Sequence, residues 1–535
     1  MGTIIDRVKE IPFNRSMNID KRHPSFCYLR EGVHNTRTRG LYPAAKFEEI
    51  DYNNRLADGD RVLDILGGDS DDIHVIVRRG DDVRFSQYSP NNNDLGSGNS
   101  TISDVDYECG AFGNDGSFIV TDDDKVRRLD GSGEAEEIGT ISDARPRIAF
   151  FDGLYYFYFS RTEIYRQLDH DDTVTTVFND LGISPEMAVN YNDQMVILGD
   201  DNDGPDGFIV LFWDKSDTDL FDKRIEIQGH PIALGNIEGT LQLIYSTPDT
   251  QNISQTHGRI IVSHYDGEKF VEVNSIKAGN NGVSFNTGSN HTFRTRNDEM
   301  IFGISRNDNV GAGVFDRNNE LYRTFILRTD KTGNLDVLTA TPDNDDITAI
   351  IFDREFVMYS TDETGGGTPK ILTNEFNLFD NECTHITNFL NRTFNRHKLQ
   401  FIGLSFEKLF DQTNVDDNGV PTSGESCEIL YRTSEREQFT HLDYITPLKV
   451  KDYMAQSLDE NAKYEDNNLG LSKQRYIITK MPNGGQLPEY TEIQFKFICK
   501  NNFCIIQGWY GYNYVDRVTV ELDDRDRRSI NIGNS

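Results

Sequence analysis

Two tryptophans, eight methionines and six cysteines are few for 535 residues, and no apolar run is long enough to cross a bilayer as a helix. The cysteines are Cys27, Cys109, Cys383, Cys427, Cys499 and Cys504. They form no C-x-x-C pair and stand at no zinc-site spacing with a histidine, which excludes zinc ribbons and dithiol redox motifs. Reduced, partly buried thiols are expected, with Cys499 and Cys504 placed to face each other across the turn K-N-N-F. Basic side chains are the second deficit. The 54 Lys and Arg against 88 Asp and Glu leave a net charge of −34, which argues against wrapping nucleic acid, because phosphate binding rests on clustered cations. Charges in M-G-T-I-I-D-R-V-K-E occupy the place where a signal peptide needs an apolar core, so no secretory route is expected. No G-x-S-x-G, H-E-x-x-H, P-loop or dinucleotide fingerprint occurs.

What the chain has in quantity is short strands. Pro146–Asp169 holds a strand, the turn pair Asp152-Gly153, an aromatic strand, a polar turn and a third strand. Asp-Gly between apolar runs is a strong hairpin signal, because Gly tolerates the positive φ of a tight turn. Copies of this meander recur from about residue 60 to 373, starting roughly 40 to 60 residues apart. Runs such as I-A-F-F and F-I-V-L-F-W are continuous rather than alternating, as in strands covered on both faces. The fold expected is all-β: a β-propeller of about seven blades (six or eight remain open) over residues 51–373, followed by a C-terminal antiparallel β-sandwich over 396–522. Residues 1–50 read as an extended arm, 374–395 as a linker, and 523–535 as a mobile tail. In the sandwich, Leu399, Phe401 and Gly403 are expected on one face, and Ile493, Phe495 and Phe497 on another.

Few constellations suggest chemistry. The acidic loop Asp200, Asp201, Asn202, Asp203, Gly204, Pro205, Asp206 offers hard oxygens to Ca²⁺, but lacks the spacing and closing Glu of an EF-hand, so a solvated loop is the competing reading. Asp122–Asp124 and Asp343–Asp346 raise the same question more weakly. No other cofactor is expected. Arg30, Arg37 and Arg39 make the arm the most basic segment and a candidate partner-binding element. His257 and His264 read as strand residues rather than ligands. A sialidase-like propeller would repeat S-x-D-x-G-x-T-W turns, and the nearest match, Ser360–Gly365, occurs once and without the Trp. The aromatic strand G-W-Y-G-Y-N-Y at 508–514 reads as core and rim, with sugar or side-chain stacking as the alternative.

The stretch C-Y-L-R-E-G-V-H-N-T-R-T-R-G-L, the string of degenerate blades, and the C-terminal S-F-E-K-L, Y-R-T-S-E and L-P-E-Y-T-E-I-Q-F-K-F together resemble the propeller-containing tail, nozzle and head-completion proteins of bacteriophages. The resemblance implies a non-enzymatic virion structural protein, made in the host cytoplasm. It would form a homo-oligomeric ring with other tail or portal proteins, touching DNA only as cargo passing through a channel. An arm clasping the next subunit would suit such a ring. A carbohydrate- or receptor-binding propeller, or a glycan-active propeller enzyme, are the alternatives.

Overall fold

A computed structural model describes residues 7–13, 27–31, 41–67, 73–89, 92–114, 116–129, 135–141, 145–168, 173–201, 207–216, 221–247, 259–277, 293–296, 298–304, 325–340, 346–353, 356–362, 367–374, 381–390, 395–406, 413–416, 420–434, 438–457, 474–482, 484–501 and 503–515. The repeats are blades of four antiparallel strands. Blade 1 is Arg61–Leu66, Ile73–Arg79, Asp82–Ser89 and Asp94–Ile102, and blades 2 to 5 repeat this simple meander from Tyr107 to Lys277. Blade 6 begins at Phe293–Thr295 and blade 7 at Asp346–Asp353. The first strands of all seven touch in a closed ring, each against the next and the seventh against the first. The chain therefore builds a seven-bladed β-propeller.

The sequence pattern predicts three strands per copy, and the structure adds a fourth. These outer strands include A-E-E-I-G-T, V-T-T-V-F-N and K-R-I-E-I, largely exposed and polar, so they carry little of the apolar signal by which a strand is read. The aromatic strand Tyr155–Phe159 shows why the second strands are so apolar. Tyr156 and Tyr158 pack among Cys109, Phe118 and Val120 of blade 2, whereas Phe157 and Phe159 pack among Ile197, Leu211 and Trp213 of blade 4. Alternate side chains serve opposite neighbours, and each full burial contributes on the order of 2 kcal/mol. The preceding turn forms as expected: Gly153 takes φ +101°, and the Asp152 carboxylate accepts from the amides of Leu154 and Tyr155 and from Lys215 Nζ of the next blade.

Among the described residues, blade 7 has no fourth strand from its own repeat. Glu48–Glu49 supplies it, pairing with Lys370–Thr373, so an early segment closes the ring. The rest of the described arm is likewise taken up by its own chain. Arg7–Ile11 pairs with Ile505–Tyr514, and Cys27–Glu31 lies between the outer strand of blade 6, Leu335–Ala340, and the strand Asn381–Thr387. The segment read as a linker thus contributes a strand. Blade 6 continues through these two into Ile493–Lys500, Ser426–Thr433 and Thr440–Ile445, as one ten-stranded sheet.

A second sheet, Arg7–Ile11, Ile505–Tyr514, His397–Phe406 and Gln474–Ile478, shares an apolar core with the far part of that sheet. Ile493, Phe495 and Phe497 are fully buried there, as expected. Leu399 and Phe401 do not share a face. A register shift between them puts Leu399 in the core and turns Phe401 and Gly403 outward, because one extra residue reverses the alternation. The one described helix, Pro447–Ser457, packs beside Gln474–Ile478, and no described helix is long and apolar enough to cross a membrane. The tail 523–535 lies outside the described residues.

Candidate functional site at the channel mouth

An antiparallel meander sends the start of strand one, the turn between strands two and three, and the link to the next blade to the same rim. Of the three acidic turns noticed in the sequence, the described residues Asp122–Asp124, Asp200, Asp201 and Asp346 fall on that rim. Their charges are partly committed. Asp123 receives both Arg127 guanidinium nitrogens, at 2.9 and 2.6 Å, and this pairing holds its carboxyl at about 2. Asp122 accepts from the Asp106 amide at 2.8 Å. Asp201 accepts from Arg224 at 3.1 Å, which weakens its claim as a Ca²⁺ ligand, and Asp200 is exposed at the end of its strand. Asn202, Asp203 and Asp206 lie outside the described residues, as do Asp343 to Asp345. Among the described residues no group of three or more His, Cys, Asp or Glu is arranged to hold a metal ion.

The sequence did not single out the charged residues at this rim. The first strands of blades 1, 2, 4, 5 and 7 each carry a bulge near their start, at Leu63, Glu108, Glu186, Ile232 and Thr348. A bulge bends the strand and re-aims its extra side chain. In blade 3, Arg147 stands at the same level, its amide donating to the Phe159 carbonyl at 2.8 Å. Arg147 acts electrostatically on both Glu108 and Glu186, so three successive blades bring acid, base and acid together. Burial raises Glu186 to about 7, with repulsion from Asp200 adding and Arg147 opposing. Burial also raises Glu108, against the pull of Arg145. Among the described residues, Glu186 Oε2 is buried without a hydrogen-bond partner. Such a carboxyl carries a proton over part of the neutral range and can give or take it at the rim. The signal in the sequence was a charge interrupting an apolar strand start, in Y-E-C-G-A-F, P-R-I-A-F-F and S-P-E-M-A-V.

Deeper in the channel, Asp64 of blade 1 is fully buried. It accepts from Tyr107 of blade 2 at 2.6 Å and from Arg294 of blade 6 at 3.2 Å. Blades 6 and 1 are not neighbours, so this ion pair links them past the inner edge of blade 7. His264 shares a hydrogen bond with Gln242 at 2.9 Å, and burial lowers its basicity, as suits a neutral strand histidine. His257 lies outside the described residues. Of the basic arm, Arg30 is placed opposite His385 in the sheet, whereas Arg37 and Arg39 lie outside the described residues.

The second module has its own exposed feature. Tyr510 and Tyr512 point into the core, and Trp509 points outward, half-buried. Trp509 stands opposite Gly403, and Phe401 lies opposite Gly511. The Phe401 ring occupies the space where a Cβ at 511 would be, so the glycine makes its seat. Val8 and Ile477, 56% and 39% exposed, extend this shelf on either side.

No protein-family description matches the chain, and neither does any curated protein. Solved structures that resemble it include YCF48 bound to D1 peptide (14% identity, 62% of this chain and 96% of that one, TM-score 0.40). The N-terminal domain of Nup159 is another (9% identity, 64% and 98%, TM-score 0.36). The WD40 β-propeller domain of Doa1 is a third (9% identity, 62% and 96%, TM-score 0.37). The likeness is one of fold.

Proposed function

We propose that this chain is a non-enzymatic structural subunit, and that the resemblance to phage tail and nozzle proteins names its setting: a virion ring built from several copies with other tail or portal proteins. The observation that supports a structural role is the sheet running unbroken from blade 6, through Cys27–Glu31, into the second module. Two modules sharing backbone hydrogen bonds and arm strands behave as one stiff body, which suits a building block better than a hinged enzyme. The described arm strands are paired within their own chain, so contacts between copies must use other surfaces. The Asp64–Arg294 pair ties blades 1 and 6 together at the inner edge of the ring. In this reading, a DNA passage runs along the axis between copies. Native mass spectrometry of the purified chain is expected to record a closed ring of copies. A stable monomer at micromolar concentration sinks the ring.

The shelf of Trp509, Phe401, Val8 and Ile477 favours a second reading, in which the outer face binds a glycan or receptor. Aromatic rings on a half-exposed sheet stack well on sugar faces. On a glycan array, this reading expects binding that Trp509→Ala lowers at least tenfold, with unchanged thermal unfolding. No binding by the unaltered chain removes it.

A further inference from the structure

Cysteines that are remote in the chain meet in the second module. Cys499 stands directly opposite Cys383 on one neighbouring strand and directly opposite Cys427 on the other. All three are free thiols, at most 1% exposed, and Cys383 and Cys427 are both within thiol hydrogen-bonding reach of Cys499. Cys504, which the sequence suggested as the facing partner, is half-buried and near, but it occupies no register position opposite Cys499.

The arrangement has a geometric consequence. In an antiparallel sheet the N–H and C=O of one residue point to the same neighbouring strand. A residue on a central strand is therefore in a hydrogen-bonded pair with one neighbour and a non-hydrogen-bonded pair with the other. The second kind is closer, with Cα atoms about 4.5 Å apart rather than about 5.5 Å, and both fall inside the roughly 4.4–6.8 Å that a disulfide bridges. Whichever way Cys499 is turned, one of its two partners occupies the close position.

We propose that Cys499 is a modification site, which closes an intrachain disulfide with Cys383 or Cys427 on exposure to a small uncharged disulfide reagent. One protein thiolate attacks the reagent's S–S bond, expelling one reagent thiolate and leaving a mixed disulfide. The second cysteine attacks the protein-side sulfur, forms the new S–S bond and expels the other reagent thiolate. Two protein thiols are oxidised, the reagent is reduced to two thiols, and the two protons pass from cysteines to reagent. The product staples Ile493–Lys500 to the neighbouring strand. Burial holds Cys499 as the protonated thiol, so the reaction is slow and follows local opening of the sheet.

The test treats the folded full-length chain with dithiodipyridine, alkylates remaining thiols in denaturant, and maps peptides without reduction. Recovery of the Cys499 peptide linked to the peptide of Cys383 or of Cys427, with matching loss of alkylation at Cys499, is the expected result. Cys499→Ala abolishes the link. Should that variant not fold, Cys383→Ala and Cys427→Ala decide between partners, since replacing the close one removes the link and replacing the other leaves it. Cys499 recovered as an alkylated thiol, or linked only to Cys504 or to another chain, overturns the proposal.

Discussion

Glu186 shows how a single residue acquires its character from a bulge. On a regular strand its side chain would alternate into the space between blades, but the irregularity between Pro185 and Met187 delivers it to the rim beside Asp200 and Arg147. Its folded pKa of about 7 exceeds the ordinary value of 4.5. Above pH 7 the carboxyl is ionised in both states, and the folded state carries the cost of a half-desolvated charge. As pH falls from 7 towards 4.5 only the folded state takes up the proton, so this group's contribution to stability rises on acidification. Glu186→Gln removes the ionisation. It is expected to raise stability by on the order of 1–2 kcal/mol at pH 8 and by little at pH 5, as read by urea denaturation at the two pH values. Equal effects at both would show that the carboxyl titrates normally. Asp123 works in the opposite sense: its carboxyl, held at about 2 by Arg127, contributes stability that is present above the ordinary value of 3.8 and is lost as pH falls from there through about 2.

At the scale of elements, the early strands decide whether the ring closes. Glu48–Glu49 completes blade 7, and Ile11, Phe13, Leu41 and Ile50 are each at most 3% exposed. At about 2 kcal/mol apiece, these four side chains account for roughly 8 kcal/mol of burial, comparable to the whole stability of many domains, about 5–15 kcal/mol. Deleting residues 1–50 also bares the edges of Lys370–Thr373 and Ile505–Tyr514, and bare edges pair with other chains. The truncated chain is expected to aggregate on expression. A soluble, cooperatively folded truncation in size-exclusion chromatography and circular dichroism would show that the arm is dispensable. Arg7–Ile11 and Glu48–Glu49 were hard to read in the sequence because most of their side chains face solvent, as in R-V-K-E-I, where only the last residue is buried.

The whole molecule carries one tryptophan in each module, Trp213 fully buried in blade 4 and Trp509 half-buried on the outer shelf. Single-tryptophan variants therefore report each module separately. Trp213→Phe and Trp509→Phe are expected to show urea midpoints agreeing within about 0.3 M, because a shared sheet and shared arm strands couple the two. Two well-separated midpoints would mean that the modules unfold independently. The sequence by itself determined the all-β class, the recurrent meander, its hairpin turns and the two-sided burial of its apolar strands. These depend on neighbours in the chain and on unbroken apolar runs, both of which a linear pattern records. Only the tertiary structure decided that Glu48–Glu49 closes blade 7, that 374–395 yields a strand, that Phe401 turns outward, and that Glu108, Arg147 and Glu186 meet at one mouth. Each of these depends on which strand pairs with which across hundreds of residues, or on one extra residue in a register. A pairing between distant segments leaves no mark on the order of residues in either one.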